Sequence, residues 1–98
     1  MKLSAELLHD RLQATMPILQ ERYGVVSLGI FGSYLHGTQR PDSDLDLLVS
    51  FREIPSLFRI VEVENFLSDL LGIQVDLVVR ESLKPNIGAR ILAEVVPV

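Results

Sequence analysis

The chain has 98 residues, 48% hydrophobic and 22% charged, the balance of one globular domain over residues 1–98. Nine basic against thirteen acidic residues give a net charge of −4, which argues against direct nucleic-acid binding, and the lack of cysteine excludes disulfides, thiolate zinc sites and cysteine nucleophiles. A chain this short buries one modest core, so a large acceptor must be gripped mainly by something else.

The opening Met1-Lys2-Leu3-Ser4-Ala5-Glu6-Leu7-Leu8-His9-Asp10 is broken by Glu6, His9 and Asp10 and reads as no signal peptide. No apolar run approaches membrane-spanning length, so a cytoplasmic protein without membrane contact is expected. Leu8, Leu12, Met16, Leu19 and Tyr23 recur at three- and four-residue steps, which predicts an amphipathic helix over residues 4–23. Pro17 lies inside it, so the helix should kink or restart there before Gly24 ends it. His9 falls on the polar side and is expected in solvent.

Val25–Phe31 is short and β-branched between two glycines, as a buried strand would be. Residues 32–43 carry two glycines and Pro41-Asp42-Ser43, a loop with room for one helical turn starting at Ser33. Leu45–Phe51 reads as a second strand with Asp44 at its mouth. Ser56 is a fitting N-cap for a helix running to Leu71, with Gly72 as its stop. Residues 73–79 form the third predicted strand and residues 86–94 a short last helix after Pro85. The apolar tail Ile91, Leu92, Val95, Val96 and Val98 is expected to pack on the first helix or to serve as a docking surface.

Strand side chains alternate, so Asp44 and Asp46 project to one side while Leu45, Leu47, Val49 and Phe51 take the other. In the third strand Ile73, Val75, Leu77 and Val79 form an apolar face and leave Asp76 opposite. If the two strands are neighbours, three carboxylates meet, and such hard oxygen ligands suit Mg²⁺ or Mn²⁺ completed by water and phosphates. Turn and strand-edge charges are the plainer reading of any one of them, but an acid interrupting each of two apolar strands is costly without a role. Asp42, Asp44, Asp46 and Glu53 also match the first, third, fifth and twelfth places of a calcium loop. That reading fails because Leu47 stands where the loop needs glycine. Gly32-Ser33, directly after the first strand, offers backbone N–H groups and a hydroxyl to an anion, although a tight turn capped by Ser33 would look the same.

Phe31-Gly32-Ser33-Tyr34-Leu35-His36-Gly37 followed by Pro41-Asp42-Ser43-Asp44-Leu45-Asp46-Leu47-Leu48-Val49 resembles the Gly-Ser and Asp-x-Asp signature of the DNA polymerase beta-like nucleotidyltransferase superfamily. The nearest likeness is to its minimal nucleotidyltransferase (MNT) domains, and it extends through Val75-Asp76-Leu77-Val78 to Glu94. The resemblance implies an α/β (α+β) fold, a small mixed sheet of about three strands backed by helices. It implies ATP as nucleotide and two Mg²⁺ ions, with Mn²⁺ possible. Gly32 and Ser33 would hold the phosphates, while Asp44, Asp46 and Asp76 would be both metal ligands and catalytic residues. Many members carry arginine where this chain has His36, and a neutral imidazole makes a weaker phosphate contact than a guanidinium. Arg40 stands close enough in sequence to reach phosphate.

Larger members carry extra domains to hold their acceptors. Stand-alone MNT proteins resemble the antitoxins of HEPN/MNT pairs, which transfer AMP from ATP to a tyrosine of a HEPN ribonuclease toxin. The resemblance thus implies an adenylyltransferase antitoxin with a HEPN toxin as partner, and leaves a homo- or hetero-oligomer open. The alternative is an antitoxin that neutralises by binding alone, against which the intact acids argue, since a pure binder gains nothing from crowded carboxylates.

Overall fold

In the computed structural model, which describes residues 4–98, helix α1 (Ala5–Tyr23) begins where the Ser4 hydroxyl accepts the Leu7 N–H at 3.2 Å. Met1, Lys2 and Leu3, part of the opening read as no signal peptide, lie outside the described residues. Helix α1 runs through Pro17 as one element, so of the expected kink or restart the restart does not occur. Pro17 is exposed, whereas Leu8, Leu12, Thr15, Leu19 and Tyr23 keep one buried stripe on both sides of it. Each buried Leu contributes about 1.5–3 kcal/mol, so the stripe outweighs the roughly 3 kcal/mol of an interior proline.

Strand β1 (Val25–Phe31), the single turn α2 (Ser33–His36), strand β2 (Leu45–Phe51) and helix α3 (Leu57–Leu71) follow, then β3 (Val75–Val79), α4 (Pro85–Glu94) and β4 (Val96–Pro97). The Ser56 hydroxyl caps α3 by accepting the Arg59 N–H at 3.1 Å, and Gly72 ends it in the left-handed conformation. The sheet order is β3-β2-β1-β4. Strands β1 and β2 are antiparallel, while β2 and β3 are parallel, joined by α3.

The fourth strand goes beyond the expected three. The tail pairs antiparallel with the free edge of β1, Ile30 opposite Val96, and the Val98 N–H donates to the Leu28 carbonyl at 2.9 Å. His9 donates from Nε2 to the Pro97 carbonyl at 3.0 Å and is partly buried, so it ties α1 to this strand rather than standing in solvent. An open edge of β1 would leave N–H and C=O groups unpaired, and a two-residue strand covers its stretch from Leu28 to Ile30 without any periodicity a sequence could display.

The core lies on one face of the sheet. Leu28 and Ile30, Leu45, Leu47 and Val49, and Val75, Leu77 and Val79 meet Leu8, Leu12 and Leu19 of α1 and Val63, Leu67 and Leu71 of α3. Both helices cover that face, and the side chains of alternate strand positions project to the other.

Candidate active site

Register brings the acids together. Phe31 of β1 stands opposite Asp46 of β2, and Asp46 opposite Asp76 of β3, so the three form one row across the sheet. Asp44, two residues before Asp46, is exposed at the mouth of β2, whose start is held by the Leu45 N–H donating to the Gln74 carbonyl at 2.8 Å. The Asp46 carboxyl is pushed above the usual carboxylate range by burial first, then by the charges of Asp76, Asp44 and Glu94. All three sequence-expected acids therefore share one field. Among the described residues no three acidic or imidazole side chains close on a common point as a ready-made metal cage. The donor set still fits a hard divalent cation whose shell substrate and water complete: it is all carboxylate, and its repulsion is what a cation relieves.

Gly32 follows Phe31 and turns the chain beside this row. Its φ of 81° lies in the region open to glycine, and a Cβ there would overlap the Asp46 carboxylate. Gly32 is also the N-cap of α2, with Ser33 the first helical residue, so the reading of Ser33 as a capping side chain does not hold. The Gly32 carbonyl accepts from the Leu35 and His36 N–H groups at 3.1 and 3.3 Å. The amides of Ser33 and Tyr34 then stand at a helix start, where no intrahelical acceptor serves them. The turn after it is pinned by the Thr38 N–H donating to the Ser33 carbonyl at 3.0 Å, and Ser43 Oγ accepts the Arg40 N–H at 2.7 Å. The Arg40 residue is exposed.

One acid at the site carried no role in the sequence reading. Glu94, the last residue of α4, accepts the Gly32 N–H at 3.4 Å through Oε1 and the His36 Nε2 hydrogen at 3.0 Å through Oε2. His36, although exposed, is therefore paired with Glu94. The Glu94 carboxyl is held below its usual range by the His36 hydrogen bond first, then by the Gly32 N–H and the charges of His36 and Arg90, against an opposing effect of burial. A charged residue between Ile91-Leu92-Ala93 and Val95-Val96 was the available signal, but nothing local says which loop it meets. A hollow of about 250 Å³ lined by Phe31, Gly32, Ile87, Arg90, Ile91 and Glu94 borders the turn. Larger cavities, about 490 Å³ near Tyr23, Phe51 and Arg59 and about 610 Å³ near Pro17 and Val25, open at the other end of the sheet and include none of the three aspartates.

The nucleotidyltransferase domain family matches residues 12–97. The protein adenylyltransferase MntA of Thermococcus cleftensis is 48% identical over 94 residues, which span 96% of this chain and 95% of that protein. A solved structure described as a minimal nucleotidyltransferase superposes with a TM-score of 0.82 at 36% identity, covering 98% of this chain and 97% of that one. The fold is also shared with a structure of a tri-AMPylated Shewanella oneidensis HEPN toxin in complex with MNT antitoxin, at a TM-score of 0.68 and 18% identity over 92% of this chain and 70% of that one.

Proposed function

Because the chain belongs to the nucleotidyltransferase domain family, and is a nucleotidyltransferase, we propose that it transfers AMP from ATP to a tyrosine hydroxyl of a HEPN ribonuclease toxin and so acts as that toxin's antitoxin. The observation that carries this reading is the row of Asp46 and Asp76 in register beside the Gly32 turn, within a chain that is nearly half identical over its length to a protein adenylyltransferase. The shared fold with an MNT antitoxin supports the choice of partner.

In this reading the Gly32 and Ser33 amides and the Ser33 hydroxyl hold the terminal phosphates. Nucleotidyltransferases of this family use divalent metal ions, and Asp44, Asp46 and Asp76 would hold two, Mg²⁺ or Mn²⁺. Such ions, when bound, lower the acceptor's pKa and offset charge on the departing pyrophosphate. Asp44 and Asp46 serve the triphosphate side. Asp76, exposed one strand further from Gly32, serves the acceptor side. The acceptor oxygen bonds to the α-phosphorus as the bond to pyrophosphate breaks. In this reading the reaction takes place in the cytoplasm, where ATP is at hand.

The test is Asp76→Asn mixed with the cognate HEPN toxin and ATP, read by the toxin's mass and its ribonuclease activity. Loss of AMP addition with ATP binding and toxin binding retained is the expected result. Wild-type transfer by the variant would remove Asp76 from the chemistry. Full silencing of the toxin without any AMP added would make binding alone the antitoxin activity.

A further inference from the structure

Glu94 occupies the turn that a nucleotide would need. Its Oε1 accepts the Gly32 N–H, and its Oε2 takes the His36 hydrogen, two donors that face a terminal phosphate if the proposed function holds. A carboxylate and a phosphate oxygen cannot both use one N–H, and two anions at that distance repel. Around Glu94 the backbone is fixed: the Val95 N–H donates to the Ile91 carbonyl at 2.9 Å, and Val96 and Pro97 pair with β1. The side chain is about a third exposed, so it can rotate away while α4 and β4 stay in place. Arg90 lies one turn earlier on α4 and lines the hollow beside Gly32 with Glu94.

Resting on the nucleotidyltransferase reading, we infer that Glu94 is a stand-in anion for the terminal phosphates, and that its displacement from Gly32 and His36 sets the affinity of the site for triphosphate and pyrophosphate. An arriving triphosphate takes the Gly32 N–H, and His36, freed of its carboxylate, turns its Nε2 hydrogen to the phosphate. Arg90 then faces the phosphates across the hollow. When pyrophosphate leaves, the carboxylate returns to both donors, which favours release over rebinding. The arrangement gives His36 a use in the place where many relatives carry arginine: an imidazole changes partner more readily than a bidentate guanidinium.

The experiment is calorimetric titration of wild type, Glu94→Gln and Glu94→Ala with ATP, inorganic pyrophosphate and AMP, each with Mg²⁺. Gln retains an oxygen for the Gly32 N–H and loses only the charge, and thermal melting checks that both variants fold. ATP and pyrophosphate should bind about tenfold more tightly to both variants, roughly 1.4 kcal/mol. AMP, which lacks the displaced groups, should bind equally to all three. Equal or weaker ATP binding by the variants would overturn the stand-in role, as would AMP tightening in parallel with ATP. If wild type and both variants bind no ATP, ATP as donor fails and the stand-in role fails with it; equal affinities across the three proteins sink the stand-in role alone.

Discussion

Two adjacent rows of the same sheet differ in everything but backbone. Ile30, Leu47 and Leu77 stand in register across β1, β2 and β3 and are at most 7% exposed beneath α1 and α3. One residue along or back, Phe31, Asp46 and Asp76 form the next row on the opposite face, with two carboxylates side by side. The first row gains stability by losing water. The second spends some, because Asp46 is held protonated more readily than in the unfolded chain. The site is thus placed where the fold depends on it least, and stability and chemistry should respond to different substitutions.

Leu47→Ala should show the largest effect on stability. A fully buried leucine between two helices and two strands costs about 2–5 kcal/mol when truncated, read by urea unfolding, while transfer per folded molecule stays near wild type. An equal loss of activity among the molecules that remain folded would erase the distinction between the rows. Gly32→Ala comes next and crosses the two classes. It places a side chain at positive φ against the Asp46 carboxylate, so about 1–3 kcal/mol of stability should be lost together with ATP binding.

The smallest effect on stability belongs to Asp46→Asn, which should nevertheless abolish transfer. The folded-state pKa of Asp46 lies above its ordinary value of 3.8, so its proton stabilises the fold fully below that value, and this contribution is lost as pH rises through the raised value. The metal-free variant should therefore match or exceed wild type in melting temperature at neutral pH, and the difference should shrink toward pH 4. Glu94, whose pKa is lowered, has the opposite sign: its contribution is present above its ordinary 4.5 and fades as pH falls through the folded value. Melting curves of Asp46→Asn and Glu94→Gln across pH should diverge from wild type in opposite directions. Parallel curves would mean that neither carboxylate feels a different field in the folded protein than in the unfolded chain.

Much of this is legible in the sequence. Strand limits at Val25, Phe31, Leu45 and Phe51 and the stops at Gly24 and Gly72 follow from local chemistry, since β-branched runs and glycine turns are decided by neighbours in the chain. The Asp44 and Asp46 pair is legible for the same reason, because alternation along one strand puts them on one side. Their company with Asp76 rested on a conditional, that β2 and β3 are neighbours, and the parallel pairing through α3 met it.

Other features depended on contacts that no local pattern encodes. Pro17 reads as a break in sequence, and only the continuous burial of α1 on both sides of it shows why the helix persists. The tail Val96 and Pro97 is a strand because β1 had an open edge, and His9 is held there by a carbonyl 88 positions away. Glu94 and His36 meet across 58 positions. Local sequence determined the elements and the faces of their side chains, since those follow from backbone sterics and from periods of 2 and 3.6 residues. Tertiary structure alone decided which charges share a field, because that depends on which distant elements the burial of one apolar face brings side by side.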